Sequence, residues 1–306
     1  MDIKSLLYLQ ITIFLLIMMG IILRKMNIIT QSGRKSMTDV FIDIILPCNI
    51  IHSFEMEMSM QILISAGWIL VIAIGIQILA ALINTLCYRG VPEDKRIVLK
   101  YGTICSNAGL IGNSICESIY GAEGLLYASI YLIPQRLCMW SVGLAYFQSV
   151  NGKNVIKKLC THPCIIAAFA GFLILLFQIH FPEPIENTIS YVSNCNLPLS
   201  MIIVGSVLAE IDAKSILNKY TIYYCLMRLI IIPFIVLITC TFLPIGTTVL
   251  GVATILAGMP AGTTTAILAE KYDKDAKFAS ACVFISTFLS LLSLPLLYLI
   301  TIKFAV

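Results

Sequence analysis

Residues 106–114 read SNAGLIGNS, and residues 257–265 read AGMPAGTTT. Each stretch lies near the middle of an apolar run long enough to cross a membrane, which takes about 20 residues as a helix. Glycine and proline interrupt the helix there and leave backbone N–H and C=O groups without partners, which hydrocarbon does not tolerate. Paired interruptions at corresponding places in two halves of a chain indicate the binding site of a transporter.

The composition is that of an integral membrane protein. Hydrophobic residues make up 59% of the 306 residues, charged residues make up 12%, and the mean hydropathy is +0.96. A soluble globule needs a more polar exterior than this. The net charge of +4, without a dense basic stripe, predicts no nucleic-acid partner. The eleven cysteines form no CxxC pair, so neither a metal site nor another cofactor is predicted.

Apolar runs between charged or Pro/Gly breaks predict ten membrane-spanning helices. Their ranges are 5–23, 36–54, 62–87, 97–119, 124–147, 163–180, 186–208, 220–243, 247–269 and 277–302. The odd-numbered loops between these spans hold 16 of the 20 basic residues. Because cytoplasmic loops carry the excess of Lys and Arg, the sequence predicts a multi-pass protein of the cytoplasmic membrane with both termini on the extracytoplasmic side.

The two halves of the chain, residues 1–150 and 151–306, share features in the same order. Pro198 in span 7 stands 151 positions after Pro47 in span 2, and the two broken segments are separated by a similar offset. Both prolines are predicted to kink their helices. Five spans is an odd number, so the second half enters the membrane from the opposite face. The sequence therefore predicts an all-α membrane protein of two inverted five-helix repeats with crossed broken helices.

The broken segments offer groups that suit an anion. Where a helix resumes after a break, its first amides are unpaired and its dipole places about half a positive charge there. In span 4 the resuming helix is predicted to begin at Asn113 or Ser114, and in span 9 among residues 263–265. Helix starts lined with amide and hydroxyl donors favour a carboxylate. The alternative interpretation is that these small residues only let the helices pack closely.

Ionisable side chains inside the spans are further candidates, because charges in a bilayer are costly and usually functional. Arg136 in span 5, Arg228 in span 8 and Asp43 in span 2 lie at similar depth, so they could meet. In one interpretation an arginine attracts the substrate and Asp43 relays a proton; in the other, Asp43 and Arg228 form a structural ion pair. Asp43 and Arg228 are therefore the coupling candidates. The predicted substrate-binding residues are Asn107, Gly109, Gly112, Asn113, Ser114, Pro260, Gly262, Thr263, Thr264, Thr265, Arg136 and Asn196.

Six short pieces of sequence, in a fixed order, carry a family resemblance. They are Gly20 to Lys25, Leu46-Pro47 with Ser53-Phe54, Asn107 to Ser114, Leu197-Pro198 followed by Gly205, Met259-Pro260, and Ala279-Ser280 through Leu294-Pro295. In these residues the chain resembles, over essentially its full length, the auxin efflux carrier family, which includes plant PIN proteins and bacterial permeases. PIN-like members carry a second proline in each broken helix, where this chain has Ser114 and Thr265.

The resemblance implies an NhaA-like fold in which spans 1, 2, 6 and 7 form a scaffold and spans 3–5 and 8–10 form a moving transport domain. It also implies an organic anion as substrate, such as auxin or a dicarboxylate like malate or malonate. The anion would bind beside the crossover, at Asn107 and Pro260. A homodimer is compatible with the resemblance.

The leading hypothesis is a non-enzymatic secondary transporter of a small carboxylate that works by elevator-like alternating access. One alternative is a sodium- or proton-coupled antiporter or symporter of the same fold, which is weakened because neither broken motif contains a carboxylate. The alternative from another class is an intramembrane receptor or enzyme, for which no catalytic motif is present.

Overall fold

The computed structural model describes residues 3–54, 59–147, 161, 163–209 and 218–304. The predicted basic loops around residues 153–158 and at residue 214 lie outside these ranges. The described residues form fourteen α-helices: α1 Ile3–Lys25, α2 Gln31–Val40, α3 Leu46–Ser53, α4 Met60–Leu86, α5 Glu93–Ile104, α6 Asn113–Cys138, α7 Pro163–Phe177, α8 Glu183–Ser193, α9 Asn196–Leu208, α10 Lys219–Leu226, α11 Ile232–Thr241, α12 Thr247–Ala257, α13 Thr264–Lys271 and α14 Ala276–Phe304.

Helices occupy most of each of the ten ranges that the apolar pattern predicts, with interruptions at residues 105–107 and 258–263. Four helical stretches are long and apolar enough to cross a membrane on their own: Met60–Leu86, Glu183–Leu208, Lys219–Thr241 and Ala276–Phe304. Shorter apolar helices, α7 and α12, accompany them. The prediction of an all-helical chain with apolar spans is confirmed over the described residues, which contain no β-structure except one isolated bridge.

Apolar side chains cover much of the exterior. On α1 and α4 the exposed large side chains include Ile11, Phe14, Leu15, Ile64, Val71 and Ile78. A water-soluble surface rarely carries so large an apolar area. The most enclosed helix is instead α12, in which every residue from Val249 to Ala257 is buried. It packs against α4, α6, α11 and α14, so the segment that follows it is held in the centre of the molecule.

Prolines mark the places where the long helices widen into a π turn or where a new helix begins. Pro47 has no N–H to donate, and the helix before it widens into a π turn at Phe41–Ile45. The same arrangement recurs where the π turn Met227–Ile231 leads into Pro233. Pro198 lies in the first turn of α9, directly after the turn that ends α8. The two predicted kinks, at Pro47 and Pro198, therefore lie at the junctions between consecutive helical segments.

A single glycine divides α6 into two helices. Gly121 has φ +66° and ψ −153° inside the run Asn113–Cys138, a conformation essentially restricted to glycine. It lies in the predicted connection between spans 4 and 5. The first part of α6 therefore completes span 4, and the second part provides span 5.

Two glycines let α1 and α9 approach closely. A Cβ on Gly205 would collide with the carbonyl oxygen of Ile17 and lie 3.0 Å from the Cα of Gly20, and a Cβ on Gly20 would collide with the carbonyl of Ile202. Because the opposing atoms are backbone, they have little freedom to move aside. Close backbone contact of this kind is the usual way in which membrane helices associate.

Replacing Gly205 with Ala should therefore lower the melting temperature of the purified protein in detergent. Overpacking in a close-packed interior costs about 1–3 kcal/mol. Gly75→Ala is the matched control, because a Cβ at that position meets nothing within 4 Å. Equal melting temperatures for Gly205→Ala and the unmodified protein would contradict this account of the α1–α9 contact.

Candidate functional site

The two broken segments meet and pair through their backbones. The N–H of Asn107 donates to the carbonyl of Pro260 at 2.8 Å, and the N–H of Gly262 donates to the carbonyl of Cys105 at 3.0 Å. These bonds form an isolated antiparallel bridge between Ser106 and Ala261. Each segment thus satisfies backbone groups that the other leaves unpaired, which an interruption deep in an apolar molecule requires.

Two side chains that the sequence did not single out complete the pairing. Gln135 donates through Nε2 to the Ser106 carbonyl at 2.8 Å and accepts from Ser106 Oγ at 3.1 Å. Ser286 in α14 accepts a hydrogen bond from the N–H of Ala261 at 3.1 Å. The sequence did contain a sign that Gln135 is important, because it stands next to Arg136 in an otherwise apolar span. Ser286 had no comparable signal.

Arg228 holds the ends of the two helices that stop at the crossing. Its Nε donates to the Met259 carbonyl at 2.9 Å, and its Nη1 donates to the Thr103 carbonyl at 3.2 Å. The side chain is 2% exposed, whereas Asp43 is exposed on the π turn before α3. The structure therefore does not bring Asp43 and Arg228 together. The structural ion pair, which was one of the two interpretations of these residues, is therefore wrong, because equal depth in a membrane does not specify which face of a helix a residue occupies.

Glycines keep the crossing compact. A Cβ on Gly112 would lie 2.6 Å from Leu256 Cδ2, and a Cβ on Gly262 would lie 3.0 Å from the carbonyl oxygen of Cys105. A side chain at position 262 would be harder to accommodate, although its contact is longer. The Leu256 side chain can move aside, whereas the Cys105 oxygen is a backbone atom that accepts a hydrogen bond from Gly262 itself. Both glycines therefore let the helices pack closely, as in the alternative interpretation of these motifs. Gly262 also lines the pocket.

A pocket of about 160 Å³ opens beside the crossing. Arg136, 9% exposed, lines it. Asn107 also lines it, is 4% exposed, and has a side-chain Nδ2 that finds no hydrogen-bond partner among the described residues. A Cβ on Gly109 would lie 3.6 Å from Arg136 Nη2, so the guanidinium lies over the first turn of the resuming helix. The pocket lining is Phe41, Ile42, Leu46, Cys105, Ser106, Asn107, Gly109, Leu110, Leu132, Gln135, Arg136, Met139, Gly262, Thr263 and Thr264.

Both resuming helices begin at this pocket. In span 4 a π turn at Ala108–Gly112 runs directly into α6, and in span 9 α13 begins at Thr264, within the predicted range. Thr264 Oγ1 is fixed by Tyr101 Oη at 3.3 Å and by Cys105 Sγ at 3.2 Å. The N-terminal ends of two helices, which carry the positive ends of their dipoles, thus lie beside one cavity.

The predicted start of the helix in span 4 is wrong by several residues. Asn113 and Ser114 lie inside the helix, not at its N-cap, because the segment resumes at Ala108 as soon as the pairing with span 9 ends. Asn113 is fully buried, and neither of its side-chain polar atoms has a partner among the described residues. Ser114 Oγ pairs with Ser200 Oγ at 3.3 Å.

The structure thus divides the predicted substrate-binding residues into two sets. Those that line the pocket are Asn107, Gly109, Gly262, Thr263, Thr264 and Arg136; those that do not are Gly112, Asn113, Ser114, Pro260, Thr265 and Asn196. Pro260 acts through its carbonyl in the crossing. Asn196 is hydrogen-bonded elsewhere, to Asn49 and Glu117.

Comparison with known proteins agrees with this arrangement. A family model described as "Membrane transport protein" matches residues 7–158 and 151–298. The chain belongs to this family. The resemblance to auxin efflux carriers is thereby confirmed, and the chain is a multi-pass membrane protein of that family.

Two relatives are transporters by name. A Methanothermobacter thermautotrophicus protein named "Uncharacterized transporter" is 27% identical over 295 residues, which cover 94% of this chain and 95% of the relative. A Rhizobium meliloti protein named "Putative malonate transporter" is 26% identical over 208 residues, which cover 63% of this chain and 64% of the relative.

Replacing Arg228 with Met should destabilise this carrier-family protein strongly. The change leaves two buried carbonyls without donors, at about 1–3 kcal/mol for each. Thermal unfolding in detergent measures the loss. Arg96→Met is the control, since Arg96 makes only a 3.9 Å surface pair with Glu93, worth about 0–1 kcal/mol. If Arg228→Met and Arg96→Met had the same melting temperature, the claim that Arg228 stabilises the crossing would be wrong.

Proposed function

We propose that the protein is a secondary transporter that binds a small carboxylate in the pocket beside the crossed segments. The observation that carries the proposal is that Asn107, whose Nδ2 has no hydrogen-bond partner among the described residues, lines the same pocket as Arg136. A buried donor without a partner is unfavourable, so a ligand that accepts its hydrogen is favoured. An anion in the pocket would accept a hydrogen bond from this donor and be attracted by the positive charge of Arg136.

The charge pattern of the pocket supports an anion over a cation. Among the described residues that line the pocket, Arg136 carries a positive charge and none is acidic. The helix starts at Ala108 and Thr264 add positive partial charge. Hydrogen bonds from charged or dipole-aligned donors to a carboxylate are about twice as strong as neutral ones. The name of the Rhizobium relative favours a dicarboxylate such as malonate within this class.

We further propose that the ten helical spans form two inverted five-helix repeats, and that access alternates by an elevator-like movement. Spans 3–5 and 8–10 would move as one body past spans 1, 2, 6 and 7, as in related carriers. The backbone pairing of the two broken segments supports this division, because both segments belong to the moving body and are joined to each other. The close α1–α9 contact would stiffen the scaffold. The location in the cytoplasmic membrane, with both termini outside, belongs to the same proposal.

Reconstitution in liposomes tests the carrier function. The purified protein should exchange a labelled mono- or dicarboxylate from a panel that includes malonate and malate. Arg136→Gln should raise KM about tenfold or more, the factor expected when a hydrogen bond to a charged group is lost. Arg89→Gln, at an exposed arginine beyond α4, should leave KM unchanged. A protein that moves no carboxylate would refute the carrier proposal, and an unchanged KM in Arg136→Gln would remove that residue from the site.

Asn107→Ala should abolish transport while the melting temperature stays close to that of the unmodified protein. The reason is that the Asn107 Nδ2 makes no hydrogen bond with the described residues, so its removal costs the fold no such bond, whereas the bound anion loses one. Asn187→Ala, at an exposed position of α8, provides the control. Normal transport by Asn107→Ala would show that the substrate does not bind at the crossing.

A further inference from the structure

A second polar cluster surrounds the carboxylate of Glu117, in the first part of α6. Nδ2 of Asn49 in α3 donates to Glu117 Oε1 at 3.1 Å and Oε2 at 3.2 Å. Nδ2 of Asn196 in α9 donates to Glu117 Oε2 at 3.2 Å and to Oδ1 of Asn49 at 3.1 Å. Asn49 also donates to Ser193 Oγ at 2.8 Å. Both asparagines are at most 1% exposed. We call Glu117, Asn49 and Asn196 the Glu117 clamp.

The clamp fits the ionised form of Glu117. A carboxylate has only acceptors, and both oxygens receive amide hydrogens here. A proton on Oε2 would compete with the amide hydrogens of Asn49 and Asn196, both of which this oxygen accepts. The remaining bonds would also lose the charge that strengthens them. Protonation therefore weakens the clamp.

The clamp joins helices that the proposed elevator movement separates. Glu117 lies in span 4, within the moving body, whereas Asn49 and Asn196 lie in spans 2 and 7, within the scaffold. Any displacement of α6 past α3 and α9 must break these hydrogen bonds. Leaving an ionised carboxylate in apolar surroundings without its donors is strongly unfavourable.

We propose that Glu117 is a proton-binding latch that controls movement of the transport domain. The ionised carboxylate holds α6 against α3 and α9. Uptake of one proton from solution gives the neutral acid and frees the domain to move, and release of that proton restores the clamp. The inference rests on the proposed carrier function, and it goes beyond it by assigning the residue through which pH governs the rate.

Other titratable groups near the clamp must be separated from Glu117. His52, one turn after Asn49 in α3, interacts electrostatically with Glu117. Helices α4, α9 and α12 contribute no titratable side chain. The remaining ones on the surrounding described elements are Cys48 in α3, Cys164 in α7, Glu183, Glu186 and Tyr191 in α8, Cys195 between α8 and α9, and Cys116, Tyr120, Glu123, Tyr127, Tyr131, Arg136 and Cys138 in α6.

The latch predicts the pH dependence of substrate exchange in liposomes with equal pH on both sides. The rate for the unmodified protein should fall as pH rises. Glu117→Gln is permanently neutral, so its exchange should be independent of pH. At high pH it should exceed the unmodified rate by about tenfold or more, the factor for losing a hydrogen bond to a charged group. Exchange is measured at pH values above the highest pKa of the substrate, so titration of the substrate itself does not contribute to either profile.

Two control variants assign the effect. Glu186→Gln removes an exposed carboxylate in the first turn of α8, and His52→Gln removes the neighbouring titratable group. Both should keep the falling pH profile of the unmodified protein. A falling profile in Glu117→Gln, a flat profile in His52→Gln, or a rate set by sodium instead of pH would each overturn the latch while leaving the carrier function intact.

A second measurement needs neither a variant nor a known substrate. Hydrophobic carbodiimides react with protonated carboxyl groups, and mass spectrometry locates the modified residue. In the unmodified protein, Glu117 should become labelled progressively as pH falls. If Glu117 stayed unlabelled at low pH while an exposed carboxyl such as Glu186 reacted, the latch would be refuted even if no carboxylate had been transported.

Discussion

The backbone pairing between residues 105–107 and 260–262 is the constraint on which the rest of the structure depends. A helix that stops in an apolar interior leaves carbonyls and amides unpaired, and this chain does so twice. The two interruptions satisfy each other, and Arg228, Gln135 and Ser286 supply the remaining bonds. The candidate ligand pocket lies directly beside this pairing, with Ser106, Asn107 and Gly262 in its lining.

The two buried arginines show how similar residues take different roles. Arg228 is committed to the Met259 and Thr103 carbonyls, so its charge stabilises the crossing. Arg136 reaches the pocket instead and lies over Gly109. The helix that starts at Ala108 then continues to Glu117, about 13 Å further along its axis at 1.5 Å per residue. One helix thus carries the proposed substrate site at its start and the clamp to α3 and α9 about two and a half turns later.

Particular residues show where sequence reasoning succeeded and failed for the site. The broken segments and the helix start near Thr264 were predictable because glycine, proline and hydroxyl residues act locally on the backbone. Asn113 and Ser114 were assigned as a helix start on the same local preference, but pairing with span 9 places the break at residues 105–107. Gln135 and Glu117 were missed because their importance lies in partners from distant spans. Glu117 did carry a signal, since it is the acidic residue of span 4.

The sequence by itself determined that this chain is helical and membrane-embedded, where its helices lie, and where two of them break. These properties follow from apolar run length and from glycine and proline, which act within a few residues. Only the tertiary structure decided that the two broken segments pair with each other, which arginine lines the pocket, and that Glu117 contacts Asn49 and Asn196. A hydropathy pattern specifies the depth of a residue in the membrane, whereas these contacts depend on the rotation and approach of helices far apart in the chain.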